Sequence, residues 1–507
     1  MVRIDLRGIL RSPAFWILMV LAVGNGLNAL AQADGWYNNS SYPVTYIMIN
    51  GLQSGMYLFT IALAIIYAGA VVWRERDVKV DAITDAMPFS NLGRISAKIT
   101  AMLLVIFMVQ VLGVLMGLFT QVTKGYTDID LGHYATEVLG IHFLGFAWMI
   151  ILSIFLHNLI HNKYLAYGAT LVVLLVVQYG LPRLGVDAYL WRFGQVPDYT
   201  YTAFNGFGPF VSGMVAYSVY WTLLSLALWA LASRFWVRGQ AASFPMRIFR
   251  AFSGYSWGRQ LILAGLLLIF LVTGGFLFYQ TEIVHERLSA DEVETLRGDY
   301  EKAYNQYFGM NQPRVVAADY AVDLYPAERQ LEALSRLSAV NKGDEPITEM
   351  LFTMPTTVTA EVVLPAGAEQ LEDNEQLRFQ RYQLAEPLAP GDTLHFEVRS
   401  HFAPKGIRDG GTLTELVSNG TFLNHLELVP VIGYDRGREL QQPEARAEQG
   451  LPERSLLMSP EEATEDALRE SYISPNSDWV QLSATVSTSA DQIAVSPGNL
   501  VKEWQEN

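Results

Sequence analysis

Three short segments of this 507-residue chain carry side chains at spacings that could do chemistry. His157 and His161 stand four residues apart, a helical spacing at which two imidazoles can hold zinc. Asn158, however, occupies the place where a metallopeptidase carries its general-base Glu, and the pair lies at the mouth of an apolar segment, so a structural role is the better reading. Gly254-Tyr255-Ser256-Trp257-Gly258 has the pattern of a nucleophile elbow, which needs a strand-to-helix turn on top of an α/β sheet. Its basic surroundings between two apolar runs offer no such sheet. The third segment, WRERDVKVDAITDAMPFS at 73–90, suits recognition better than catalysis. Glu75, Asp77, Asp81 and Asp85 interleave there with Arg74, Arg76 and Lys79, while Val80, Ile83 and Met87 recur at i, i+3 and i+7. That period predicts one apolar face of a short helix, which Pro88 ends. Mixed charge beside an apolar face suits the docking of a protein partner, where charge sets register. Asn419-Gly420-Thr421 fits a glycosylation sequon, which matters only in a eukaryotic secretory pathway.

The elements that must position this segment are membrane spans. A span needs about 20 apolar residues to cross roughly 30 Å of hydrocarbon. Seven stretches meet that requirement: about 13–32, 54–73, 99–120, 138–158, 164–182, 208–233 and 260–280. Arg3, Arg7 and Arg11 before the first stretch, and Ala31-Gln32-Ala33 after it, imitate a signal peptide, but the apolar run is longer than a signal core and six more spans follow. With the N-terminus in the cytoplasm, fourteen Lys and Arg fall in inside segments and three in outside loops, which sets the orientation and carries the chain beyond the seventh span to the outside. The aromatic-rich loop 183–207 is expected on the outer bilayer surface. Within the spans only Asn25, Asn28, Gln110 and His142 stand out as polar, each better suited to joining helices than to carrying ions, so ion-driven transport is not indicated.

Charge divides the chain at the end of the seventh span. Residues 1–281 carry a net +6 and residues 282–507 a net −21. The mean hydropathy of +0.20 fits a chain that is part membrane and part soluble. An acidic region without a basic stripe argues against nucleic acid as a partner. There are no cysteines, which excludes disulfides, thiolate zinc sites and Cys nucleophiles.

DLRGILRSPAFWILMV, WRERDVKVDAITDAMPFSNLGRISAKI and YWTLLSLALWALASRFWVRG together resemble a permease half of a bacterial type-2 ABC exporter over residues 1 to about 240. The resemblance implies that residues 1–12, with Arg3, Arg7 and Arg11, form a cytoplasmic amphipathic connecting helix. It also implies that Arg74, Glu75, Arg76, Asp77, Lys79, Asp81, Ile83, Asp85 and Met87 lie on the coupling helix that rests on an ATPase. The family has six spans; the seventh here departs from that pattern and serves to carry the C-terminal region across the membrane. The chain has no G-x-x-x-x-G-K-[ST] phosphate loop, so ATP and Mg²⁺ would be bound by ABC ATPase subunits on another chain. A second permease half, as a homodimer or from a different chain, is expected as well.

Past a helical linker at 282–313, which Ser289 and Glu292 open in capping-box spacing, strand patterns dominate. RFQRYQLAEPLAPGDTLHFEVRSHF reads as a hairpin turning at Ala389-Pro390-Gly391-Asp392, Ser459-Pro460-Glu461-Glu462 as a helix start, and DWVQLSATVSTS as a strand. The expected fold class is therefore an α-helical polytopic domain of seven spans (13–281) followed by a mostly-β sandwich (314–507). ADYAVDLYPAERQLEALSRLSAVNKGDEPITEM, LAEPLAPGDTLHFEV, NGTFLNHLELVPVIGYD and the closing DWVQLSATVSTSADQIAVSPGNLVKEW make this region similar to the N-terminal β domain of aminopeptidase N-like zinc metallo-aminopeptidases. H-E-x-x-H, its downstream Glu and a G-A-M-E-N-like segment are absent, so the chain itself is expected to bind no metal and to catalyse nothing. The sequence stops at Asn507, where the resemblance would place a catalytic domain next; zinc enters only if such a domain lies elsewhere.

The leading expectation is an ABC exporter permease in the bacterial inner membrane, with its N-terminus cytoplasmic and its β domain periplasmic. Its partners would be the ATPase, a second permease half, the lipid bilayer and, where one exists, a peptidase domain or subunit. The resemblance implies a lipid-like or peptide-like cargo. The alternative is the membrane-anchored portion or scaffold of a zinc peptidase, and a third reading is a surface sensor. Reversing charge at Glu75, Asp77 and Asp81 is expected to abolish ATPase binding while leaving the chain inserted.

Overall fold

The computed structural model describes residues 1–36, 39–239, 243–253, 257–285, 287–454, 461 and 477–505. It divides into two compact units, one of Met1–Thr202, Phe210–Val284 and Ile407–Gly410 and the other of Ala203–Pro209, His285–Gly406 and Gly411–Asn507.

The first unit is helical. After α1 (Val2–Leu10) come α2 (Pro13–Gln32), α3 (Thr45–Asp77), α4 (Asp81–Ala86), α5 (Asn91–Thr123), α6 (Leu131–Leu159), α7 (Lys163–Arg183), α8 (Gly208–Phe235), α9 (Phe244–Phe252) and α10 (Trp257–Val284). Seven of these, α2, α3, α5, α6, α7, α8 and α10, are long and apolar enough to cross a membrane. Small residues let the helices approach closely. A methyl group on Gly55 of α3 would lie 2.8 Å from the Cα of Gly26 on α2, and at that contact the Asn25 side-chain amide donates to the Gly55 carbonyl at 2.7 Å. Asn25 thus joins two spans, as its residue type implies. Leu63, Val105, Ile106, Ile150 and Ile154 fill the shared core.

The second unit opens on α11 (Ala290–Tyr304), whose Ser289 and Glu292 complete the capping box. Among the described residues eleven strands follow: β1 (Arg314–Tyr325), β2 (Gln330–Val340), β3 (Ile347–Thr353), β4 (Thr359–Val363), β5 (Glu369–Asn374), β6 (Phe379–Leu388), β7 (Thr393–Phe402), β8 (Leu416–Val417), β9 (Gly420–Thr421), β10 (Val431–Ile432) and β11 (Ser477–Ser487). They form a five-stranded sheet in the order β11-β1-β2-β7-β4 and a four-stranded sheet in the order β10-β3-β6-β5, with β8 and β9 as a separate pair. β11 runs parallel to β1, and the other neighbours in these sheets are antiparallel. Alternation drives the layering: Leu331, Ala333, Leu337 and Ala339 of β2 turn inward and meet Met350, Phe352 and Leu384 of the other sheet.

Two details depart from the sequence reading. β6 and β7 flank the expected turn, and Gly391 there takes φ +85°, but the strands pair in different sheets, so the turn is a crossover and not a hairpin. The fourth span begins at Leu131, which brings His133 and Glu137 into the helix. The helix start expected at 459–462 lies almost wholly outside the described residues.

Candidate functional site

α3 continues the second span unbroken to Asp77 and then stops at Lys79, which adopts a left-handed φ of 57°. This break shortens the expected helix to α4, Asp81–Ala86, and Met87 leaves it with an extended backbone before Pro88. Val80, Ile83 and Met87 are all exposed, at 37, 65 and 40%, with Val78, Phe89 and Leu92 exposed beside them. The segment therefore presents apolar side chains outward.

The charges behave differently. Arg94 and Lys98, one turn apart on α5, are 0 and 1% exposed. Arg94 donates to Asp85 at 2.6 Å and to the Thr84 carbonyl at 2.5 Å, and lies 3.8 Å from Glu75. Lys98 donates to Glu75 at 3.1 Å and to the Val71 carbonyl at 2.6 Å. The Trp236 ring covers both cations, with centroid distances of 5.3 and 5.5 Å. The other oxygen of Asp85 accepts from the Gly239 backbone amide at 3.0 Å. Burying charge is favourable only when partners and hydrogen bonds surround it, and here two cations meet two carboxylates. The network fixes α4 to the ends of α3 and α5.

The remaining site residues sort the same way. Asp77 pairs with Lys163 at 2.6 Å, and Arg74 reaches the Ile4 carbonyl at 2.6 Å and Asp5 at 3.6 Å, tying α1 to α3. Burial raises the Asp5 carboxyl pKa above its ordinary value, opposed by the nearby Lys98 and Arg74 cations. Arg76 lies over Trp73 at 4.9 Å. Asp81 and Lys79 have no ion pair among the described residues. Arg3, Arg7 and Arg11 are exposed along or just past α1. Of the side chains expected to meet a partner, Lys79, Ile83 and Met87 are exposed and Asp81 is half-buried, while Glu75 and Asp85 are committed within the chain. Arg94 and Lys98 were not singled out from sequence, although their i, i+4 spacing just after a carboxylate-rich loop was a usable signal.

A second polar cluster sits toward the other end of α3. Within α6, residues Tyr134–His142 form a π-helical stretch. Glu137, buried there, meets His133 Nε2 at 2.6 Å, accepts from the Tyr199 hydroxyl at 3.3 Å and lies 3.7 Å from His142 Nε2. This corrects the expectation of spans without buried charge, since the span boundary at 138 had left Glu137 outside. Irregular π turns in helices are frequent at functional sites.

The alternative chemistries fare less well. His157 Nδ1 accepts from Trp73 Nε1 at 2.9 Å, a packing role in the interhelical core. Among the described residues no group of three or more His, Asp or Glu side chains is placed to hold a metal ion. Three residues of the Gly254–Gly258 pattern lie outside the described residues.

A family model described as "ABC-2 family transporter protein" matches residues 8–178, from α1 through most of α7. No curated protein matches the chain. Among solved structures, the M1 zinc metallopeptidase from Deinococcus radiodurans is 17% identical over 19% of this chain and 22% of that one, with a TM-score of 0.16. A mutant of a two-domain M1 zinc metallopeptidase bound to L-tryptophan gives the same identity, coverage and TM-score. This chain thus spans about a fifth of the length of those structures, and at that score the likeness carries no argument.

Proposed function

We propose that this chain is the membrane component of an ABC-type exporter, driven by a separate ATPase subunit that docks on α4. The observation that carries the reading is the division of labour at 73–98: exposed Val80, Ile83 and Met87 on a segment in which Glu75 and Asp85 are spent on Arg94 and Lys98. An apolar face on a short helix fits the groove of a partner, and the buried ion network passes any displacement of that helix to α3 and α5 as a unit. The match of residues 8–178 to a transporter family supports the same reading. The excess of Lys and Arg on this side of the spans supports placing α4 in the cytoplasm and the β unit outside. A second copy of the chain, or a related one, completes the permease.

The test is affinity purification of the tagged full-length chain in mild detergent, with ATP hydrolysis measured in the eluate. Ile83→Asp with Met87→Asp should lower co-purifying hydrolysis roughly tenfold or more, since each side chain loses an apolar contact of about 1.5–3 kcal/mol. Undiminished hydrolysis in this variant contradicts the reading. Reversal at Glu75 and Asp77 is the poorer test, because it removes partners of Lys98, Arg94 and Lys163 and perturbs the fold itself.

A further inference from the structure

α9 (Phe244–Phe252) joins α8 to α10 and turns its faces the opposite way from a helix packed in water. A helical wheel places Phe244, Ile248, Phe249 and Phe252 on one face and Arg247 and Arg250 on the other. In a soluble protein the apolar face would meet the core. Here Arg247 and Ala251 are the buried residues, while Phe244, Ile248, Phe249 and Phe252 are 53, 40, 67 and 50% exposed. Arg247 donates to the carbonyls of Asn158, Leu159 and Phe235, with 3.0 Å to Leu159, and so satisfies the free carbonyl ends of α6 and α8. The polar face thus anchors the helix, and the apolar face is left outward.

Position and charge say what covers that face. Short connections tie α9 to the end of α8 at Phe235 and to the start of α10 at Trp257, which holds it at the level where two spans leave the hydrocarbon. Trp257 is 75% exposed and is a residue type that settles at that level. Arg234, Arg238, Arg247, Arg250 and Arg259 fall in this stretch, and no Asp or Glu occurs between Asp198 and Glu282. Arg250 and Arg259 are exposed and form no ion pair among the described residues. We infer that α9 lies in the headgroup layer of the bilayer, with Phe244, Ile248, Phe249 and Phe252 among the upper acyl chains and Arg250 and Arg259 on the phosphates of acidic phospholipids. A soluble partner would have to displace lipid to reach the same four side chains. The inference does not rest on ATPase docking, because α9 and α4 share no residue.

The experiment uses the full chain in nanodiscs of phosphatidylcholine mixed with phosphatidylglycerol. Phe249→Cys and, separately, Phe244→Cys each place one bimane label on the apolar face, and Glu369→Cys, exposed on β5, supplies the aqueous reference. The expected result is strong quenching at 244 and 249 by lipid carrying a nitroxide near the top of its acyl chain, with iodide in the water quenching both labels severalfold less than the label at 369. At equal amounts, nitroxide carried by phosphatidylglycerol should quench the label at 249 severalfold more than nitroxide carried by phosphatidylcholine. Arg250→Gln with Arg259→Gln should bring the two lipids level, since each arginine near an anionic surface is worth roughly fivefold in binding. Iodide quenching at 244 and 249 equal to that at 369, without quenching from lipid, overturns the inference and assigns the face to a soluble partner. Equal quenching by the two lipids in the parent chain, or a preference for phosphatidylglycerol that survives loss of both arginines, overturns the headgroup assignment.

Discussion

The two ends of α3 treat buried polarity in opposite ways. At the Asp77 end, Glu75 and Asp85 are matched against Arg94 and Lys98 under the Trp236 ring, and the apolar side chains stand outside. Nearer the Thr45 end, Glu137 is held by two histidines and a tyrosine. α3 has 33 residues, which at 1.5 Å rise separates its ends by about 50 Å. One end sets two carboxylates against two cations; the other sets one carboxylate among imidazole and phenol side chains.

The largest way to break this contrast is at the Asp77 end. Arg94→Met removes a buried cation and leaves two half-buried carboxylates short of a partner, and should cost about 3–5 kcal/mol, read as a large fall in Tm of the detergent-solubilised chain. A fall no larger than that of a surface substitution would show the network to be loosely held. Next, Glu137→Gln should cost about 1–3 kcal/mol, because the amide keeps part of the hydrogen bonding to His133 and Tyr199. An effect of Glu137→Gln exceeding that of Arg94→Met would invert the comparison. Asp77→Asn removes a half-exposed pair with Lys163 and should cost about 0–1 kcal/mol in the same melt. The smallest effect concerns Asp5, whose carboxyl burial pushes upward in pKa. The folded chain then holds this proton more tightly than the unfolded chain, so the associated stability is present at low pH and is lost as pH rises through the folded value. Asp5→Asn should therefore be as stable as, or slightly more stable than, the parent at pH 7, with the difference gone below about pH 4.

The seven spans were legible because apolar length alone specifies them, and the β strands because alternation specifies a half-buried face. The span-four boundary was not, since counting hydrocarbon stops at the first charge and Glu137 is a charge the π-helical stretch buries. The turn at 389–392 was read correctly as a turn, but turn chemistry says nothing about which sheet each flanking strand joins. At 73–90 the period of Val80, Ile83 and Met87 predicted one face of a short helix; all three are exposed, but only Ile83 lies within α4, with Val80 and Met87 at its two caps. The carboxylates looked equally available because nothing local shows that Arg94 and Lys98 fold back onto Glu75 and Asp85; that pairing depends on how α3 and α5 pack.

Because the chain contains no cysteine, a single introduced thiol reports one position cleanly. With Ile83→Cys, the rate of modification by a membrane-impermeant maleimide can be compared between purified chain and inside-out membrane vesicles that retain the native partners. Docking of an ATPase on α4 predicts rapid modification of the isolated chain and marked protection in the vesicles, relieved when peripheral subunits are stripped. Equal rates before and after stripping would contradict it.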